Sequence, residues 1–395
     1  MSTTHIHHRH HRHHRVHSHG VHGERIGKGI AGFVLKNPVL VIAAALALGS
    51  CLLQPPDAAY LGYFDLSTLS CLFSTLAVIC ALKGIRFFTI VAKRIVQLAG
   101  NVRTLSLALV YITFIGSMFI ANDMALLTFL PLGYMALSAT GKERYMAPIF
   151  ILQNVAANLG GMLTPFGNPQ NLYIYTKFGI PTDEFMGIML PPFLIALCLF
   201  TVACLFFPRE PLTLTEEGEK PLPVGRTAFY LVLFLLTILT VFRVIPYYIC
   251  LPLVAVSVFF ADKDALRRVD YPLLLTFVSF FLLAGNLSRL ELVSGFFGWL
   301  LSKNTLLTSI LSCQVISNVP SAILLAEFTE NYRALLLGVN IGGVGTLISS
   351  LASLITFREY TSHTKGKALS YLGQFTLINF AFLIILTLAA LAMGA

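Results

Sequence analysis

The chain has 395 residues, 56% of them hydrophobic and only 11% charged, with a mean hydropathy of +0.79. A soluble protein of this length carries about 25% charged residues, so the composition excludes a soluble fold and calls for many apolar segments in a bilayer. The net charge of +9 is no nucleic-acid signal, because Lys and Arg gather in the segments between apolar runs; the seven scattered cysteines give neither a disulfide framework nor metal-ligand spacing.

Residues 1–35 read as a His/Arg-rich tail, with ten of the eleven histidines falling within 1–23. The tail has no apolar core or cleavage site of a signal peptide. A His-rich tract can bind transition metals, but a disordered tail without a transport role is the plainer reading. Val39–Leu53 is the first span, followed by a loop, Gln54–Asp65, without Lys or Arg. Leu66–Leu82 returns to a basic segment, Lys83–Arg103, whose Phe87, Phe88, Val91 and Ile95 fit an amphipathic helix at the membrane interface.

Thr104–Phe119 and Met124–Ala139 are apolar arms of 16 residues around the tip Ala121-Asn122-Asp123. Both arms are short of the ~20 residues needed to span. A re-entrant hairpin fits them, although two full spans would satisfy the same basic flanks. Tyr145–Lys177 and Glu184–Phe207 complete a first repeat, 36–207, and a polar linker, 208–226, divides the halves. The second repeat, 227–395, holds Thr227–Phe242, Tyr247–Ala261, Tyr271–Ala284 and an interfacial piece at Leu290–Leu301. It continues with the arms Thr305–Ile316 and Pro320–Phe328, the span Tyr332–Phe357 and the final span Ala368–Met393.

Two of these spans are broken. Asn158–Tyr175 (NLGGMLTPFGNPQNLYIY) carries Pro165, Gly167 and Pro169 inside an apolar run, which no helix passes smoothly. In hydrocarbon such a break survives only where protein buries it or it lines a cavity. The pattern returns 182 residues later as Asn340–Phe357 (NIGGVGTLISSLASLITF), aligning Asn158 with Asn340 and Thr164 with Thr346. Paired broken helices in two halves point to a transporter's binding site.

Nine spans and two hairpins, with the N-terminus in the cytoplasm, put 22 of the 27 Lys/Arg residues inside. The hairpins then enter from opposite sides. The expected fold is therefore an all-α polytopic membrane protein of two inverted-topology repeats, each with a re-entrant hairpin and a broken helix.

The tip ANDMALLTFLPL, the GG-x-x-T-P-x-GNPQN break, the tip SNVPSAILL and the break GGVGTLISSLASLI together resemble the ion transporter superfamily. Within it the chain looks most like the arsenite permease, NhaD-type antiporter and citrate permease branch, and most of all like YbiR-type inner-membrane proteins. The resemblance covers residues 35–395. It implies a dimer-prone scaffold and a mobile domain of hairpins and broken helices that carries substrate in an elevator-like movement. It also implies a prokaryotic cytoplasmic membrane as location. Carried over by position, Asn122 and Asp123 fall at the first tip, Thr164, Gly167, Asn168 and Asn171 at the first break, and Ser317 and Asn318 at the second tip. Thr346, Ser350 and Ser353 stand in the second break. Val319 replaces a threonine kept by dicarboxylate members, and Ser350 and Ser353 stand where the first break has Asn168 and Asn171. These departures weigh against a full second sodium site and against dicarboxylate specificity.

The residue chemistry agrees with that picture. Amides, hydroxyls and unwound carbonyls can ligate sodium, with Asn122, Asp123 and Asn168 as its first candidates, and half-helix N-termini can receive an anion. The same amides could instead cap helix breaks and bridge helices; Asn154, without a counterpart, reads as such a packing residue. Asp123 is the one acid in the apolar interior of the first half, and a buried carboxylate is a functional candidate. Its plainer role would be to cap the arm that follows. No Lys or Arg lies near either tip, so a small anion, a neutral oxyacid or an anion neutralised by co-bound cations suits the site. The expected function is secondary transport driven by protons or sodium, with a sodium/proton antiporter as the alternative and no further cofactor. An intramembrane enzyme lacks any Ser/His or paired-carboxylate arrangement at membrane depth. Because the tail is too polar to enter the bilayer, deleting residues 2–23 should leave transport rate and affinity within about twofold in a vesicle assay.

Overall fold

A computed structural model describes residues 32–34, 37–212 and 221–394, all but a few of them in helices and turns. The readings for residues 1–23 and for part of the linker, 213–220, lie outside the described residues. The first repeat comprises α1 (Pro38–Leu53), α2 (Leu66–Gly84), α3 (Phe87–Gln97), α4 (Val102–Ser117), α5 (Asn122–Ala139), α6 (Met146–Gly160), α7 (Pro169–Lys177) and α8 (Thr182–Leu205). After the linker come α9 (Val224–Val241), α10 (Tyr247–Ala261), α11 (Lys263–Arg267), α12 (Tyr271–Ser288) and α13 (Glu291–Lys303). The second hairpin is α14 (Thr305–Ile316) and α15 (Asn318–Leu325), the second broken helix α16 (Tyr332–Ile341) and α17 (Leu351–His363), and the last helix α18 (Ala368–Ala392).

Among the described residues, six stretches are long and apolar enough to cross a membrane: α2, the α6 region from Glu143 to Leu163, α8, α9, α12 and α18. The expected spans at α1 and α10 are shorter, at 16 and 15 residues, and the second broken span is divided between α16 and α17. Several starts differ from the expected ones. Helix α9 begins at Val224, because Pro223 occupies the cap position, where its missing N–H costs nothing. Helix α15 begins at Asn318 because Pro320 falls in its first turn, where proline is tolerated. Helix α5 starts at Asn122, so Ala121 is the cap residue and Asp123 lies within the first turn. Ala121 brings no capping side chain, and the capping role expected of Asp123 is absent.

The halves interlock. Helix α1 of the first repeat packs along α12 of the second, and α10 of the second packs along α2 of the first. At the first of these seams Asn286 donates to Ser50 Oγ (2.9 Å) and Tyr60 Oη (3.0 Å). Within each repeat the first hairpin arm lies on the first half of the broken helix, α4 on α6 and α14 on α16.

Contacts between connecting segments sort them into two sets. In one set, Glu210 takes Lys142 (2.8 Å), Tyr145 (2.6 Å) and Arg144, while Asp262 takes Arg268 (3.4 Å). In the other, Glu327 pairs with Lys177 (2.5 Å), Asp57 with Arg289 (2.7 Å) and Glu184 with the Tyr332 hydroxyl (2.7 Å). The outer ends of the first hairpin belong to the first set and those of the second hairpin to the other, as inverted repeats require. The start of the linker is pinned as well: Val102 N donates to Glu210 O (3.0 Å) and Leu212 N to Gly100 O (3.2 Å). The Lys142 ammonium and the Tyr145 hydroxyl hold the Glu210 carboxyl at about 2, below its ordinary 4.5. The clamp is thus intact at neutral pH and loosens only as pH falls from 4.5 toward 2. Single cysteines at Glu143 and Lys263 in a cysteine-free background should label from one side of the membrane, and those at Ala58 and Glu330 from the other. Labelling of Glu143 and Ala58 positions from the same side would overturn this arrangement.

Candidate functional site

Both hairpins turn through a residue with positive φ, Ala121 (φ 28°) and Ser317 (φ 73°), and both place an asparagine directly after it. The Asn122 amide oxygen accepts the Asp123 N–H (3.0 Å), and the Asn318 amide oxygen accepts the Val319 N–H (2.9 Å). A backbone N–H needs an acceptor, so each amide is oriented with its NH2 group away from its own turn. The Asn122 NH2 donates to Asn158 Oδ1 (3.1 Å) and approaches Ser350 Oγ (3.5 Å). The Asn318 NH2 lies against Gly343, where an added Cβ would sit 3.0 Å from it and 3.7 Å from Asn158 Oδ1. The first tip is thus bonded to Asn158, near the end of α6, and the second lies close to it across Gly343.

The breaks are tied to the hairpins by matched bonds. Thr164 Oγ1 donates to Met118 O (2.9 Å), and Thr346 Oγ1 donates to Gln314 O (3.0 Å). Met118 and Gln314 hold the same place before their tips, so one hydrogen bond recurs in both repeats. Gln314 adds more: its Nε2 donates to the Gly342 and Val344 carbonyls (2.9 and 3.2 Å), and its Oε1 accepts the Thr346 N–H (2.9 Å). Gly345 beside it has φ 129°, and a Cβ there would lie 2.1 Å from Gln314 Oε1, so only glycine fits. Gly167 is bound by space instead, since its Cβ would lie 2.3 Å from Gly161 O.

The two asparagines of the first break do different work. Asn171 Nδ2 is spread over the carbonyls of Gly161 (3.1 Å), Met162 (3.3 Å) and Thr164 (3.4 Å), and its Oδ1 accepts from Asn340 Nδ2 (2.6 Å). It is a strut, fully occupied. In the second repeat Ser349 Oγ takes over that work, reaching Gly343 O (3.0 Å) and Thr346 O (2.8 Å), the counterparts of Gly161 and Thr164. Ser353, which stands where Asn171 does, is thereby released and accepts from Asn154 Nδ2 (3.3 Å). Asn168 donates to Asn158 O (3.3 Å), but its Oδ1 is buried without a donor. Ser350 caps α17, accepting from Ala352 N (3.3 Å), and Ser317 Oγ donates to Ser349 O (3.3 Å).

The structure thus gathers Asn122, Asn168, Asn318 and Ser350 around Asn158, and sets Thr164, Asn171 and Thr346 behind them as supports. Asp123 stands beside the cluster without joining it. Its carboxylate makes no side-chain hydrogen bond among the described residues, and Oδ1 is buried. Asn154, read from sequence as a packing residue, bonds across the repeats to Ser353 and to Asn379 Oδ1 (3.5 Å). Asn158, Asn340 and Gln314 escaped the sequence-based site. Their signals were the recurrence of asparagine at 158 and 340 and a single glutamine in an apolar arm.

Buried oxygens without a donor in this region include Asn168 Oδ1, Asn340 Oδ1, Asn154 Oδ1, Asp123 Oδ1 and Gln170 Oε1. Oxygens left this way in a dry interior are costly unless a cation or water meets them. The N-terminus of α5 turns a positive dipole end to the same region, which suits an anion, whereas at α15 Asn318 N is bonded to Ser349 O (3.0 Å) and Val319 N to the Asn318 amide. Replacing Asn171 with Ala strands the Asn340 amide and three carbonyls, at a cost on the order of 1–3 kcal/mol or more. It should lower Tm equally with and without sodium, whereas Asn168→Ala should lower chiefly the sodium-dependent part. Thermal unfolding of the purified variants in sodium and in choline salts checks both.

Comparison with known proteins agrees with this architecture. The citrate transporter family (CitMHS) matches residues 30–332, which take in both hairpins and the first break. Transporter MJ0456 of Methanocaldococcus jannaschii, itself described as uncharacterised, is 30% identical over 313 residues, 79% of this chain and 84% of that one. The inner membrane protein YbiR of Escherichia coli K12 is 30% identical over 281 residues, 69% of this chain and 74% of its own. Among solved structures, the YdaH transporter of Alcanivorax borkumensis has a similar fold, with a TM-score of 0.52 at 14% identity, over 90% of this chain and 97% of that one. Matches of this extent show that the chain belongs to the citrate transporter family and is a multi-pass membrane transporter.

Proposed function

We propose that this transporter is a secondary active carrier of a small anion or oxyacid (an inorganic oxyanion, an arsenite-like species or a carboxylate), coupled to a proton or sodium gradient. The observation that carries the reading is the nearness of both hairpin tips to Asn158, the first through the Asn122 NH2 group and the second across Gly343, with no Lys or Arg side chain bonded to the cluster among the described residues. Neutral donors and helix N-termini suffice for a single negative charge or an uncharged oxyacid. A fixed guanidinium or ammonium, the usual partner of a multivalent anion, is missing from that set. The oxygens without donors at Asn168 and Asp123 supply the complementary half, a place for a coupling cation.

The coupling residue in this reading is Asp123. It neither caps its helix nor pairs with a base, so its charge is left for a mobile cation to balance. The same free carboxylate favours a second reading, a sodium/proton antiporter without another substrate. The two repeats, 36–207 and 227–395, would each contribute one hairpin and one broken helix to an elevator-type moving unit, dimeric through the scaffold helices. The basic segments, the tail included, would face the cytoplasm, in a prokaryotic inner membrane as for YbiR.

Proteoliposomes test these points together. Uptake of arsenite, phosphate-like oxyanions and monocarboxylates should depend on an imposed sodium or proton gradient, and Asp123→Asn should insert normally but lose gradient-driven accumulation. Accumulation by Asp123→Asn with unchanged pH and sodium dependence would place coupling elsewhere. Sodium-driven proton release without any substrate would favour the antiporter.

A further inference from the structure

An apolar cavity lies apart from the buried amides of the asparagine cluster, none of which line it. It has a volume of about 470 Å³ and lies between α3, the first hairpin and the crossover helix α9. Its walls include Val91 and Ile95 of α3, Ile112 of α4, Phe129 of α5 and Leu231 of α9, and Tyr111 alone brings a hydroxyl. That hydroxyl is engaged with Thr201 Oγ1 (2.5 Å). Water has nothing to bond to in such a space. An apolar cavity of about 150 Å³ already stays dry and takes a six-carbon ring, so this one has room for roughly eighteen carbons.

The cavity is not sealed. Val91, Ile95, Ile115, Phe119 and Leu231 on its walls are all exposed at 39–51%. In a membrane-spanning chain, apolar side chains on α4 and α9 meet hydrocarbon, so the opening faces lipid. Helix α3 fixes the depth of that opening. Its apolar face, Phe87, Phe88, Val91 and Ile95, turns to the cavity, while Lys93 and the exposed Arg94 lie on its polar side. Lys83, in the last turn of α2, adds a further positive charge just before α3 begins. An amphipathic helix with this pattern lies at the level of lipid headgroups.

We infer that the cavity is a binding site for one phospholipid. An acyl chain enters between α3, α4 and α9, and an anionic headgroup is held by the basic residues that flank and line the polar side of α3. Apolar volume, a lateral opening and positive charge at headgroup level together match that molecule. The inference rests on membrane insertion and not on the proposed coupling. Because the walls come from both the first hairpin and the helices beside it, the bound chain fills a seam that would otherwise be a void.

The test uses purified protein in vesicles containing phosphatidylglycerol with a diazirine on one acyl chain. Photolysis should label peptides of α3, α4 and α9 above all other lipid-facing helices, and Ile112→Trp, which fills the cavity, should abolish that labelling. Leu311→Trp, at an exposed apolar position on the second hairpin, is the control and should leave it unchanged. Exchanging the headgroup for phosphatidylethanolamine, or introducing Arg94→Glu, should weaken labelling without moving it. Uniform labelling of all exposed apolar helices, persistence in Ile112→Trp, or cross-links from these walls to a second copy of the chain would each overturn the site. Equal labelling with both headgroups would overturn the anionic preference. Native mass spectrometry of both tryptophan variants confirms that they are folded before the comparison is made.

Discussion

Everything at the centre of this molecule follows from the cost of ending a helix in hydrocarbon. A helix that stops in mid-membrane bares N–H and C=O groups with no water to receive them. Here four such interruptions, two tips and two breaks, are brought together so that each covers another. Thr164 and Thr346 bind the breaks to the hairpin arms, Asn171 and Ser349 gather the loose carbonyls, and the tip asparagines accept the first N–H groups of their own helices. The groups left over after this mutual covering are the ones that face the site.

The supports also join the halves. Asn340 of the second repeat holds Asn171 of the first, and Asn154 of the first reaches Ser353 of the second and Asn379 of the last helix. At the rim, Tyr134 of the first hairpin stacks on His363 at the end of α17, with ring centroids 3.5 Å apart. Hairpins and broken helices are thus cross-braced to one another at several depths. The interlocked pairs, α1 on α12 and α10 on α2, form a separate bracing among the outer helices.

Much of this was legible in the sequence because its signals are local. Proline and glycine in an apolar run mark a break wherever they occur, short arms around Asn122 and Asn318 mark tips, and Lys and Arg mark one side of the membrane. The duties of individual polar residues were not legible. Asn168 and Asn171 are the same residue type three positions apart, yet one is a strut and the other keeps a free oxygen. The difference lies in which carbonyls the folded break brings beneath each side chain. Gln314 was hidden for the same reason, since its importance comes from Gly342, Val344 and Thr346, all distant in sequence. Asp123 was correctly marked as unusual, but its position inside the first turn depends on Ala121 taking the strained turn.

The exchange of roles between Asn171 and Ser349 bears on how two copies of one segment drift apart. The same carbonyls must be covered in each repeat, but the donor comes from the third residue of α7 in one copy and from the loop before α17 in the other. Whenever both positions carried a donor, either could be lost without baring the backbone. A duplicated ancestor could therefore specialise its halves by neutral steps, freeing a side chain such as Ser353 for new partners while the fold beneath it stayed closed.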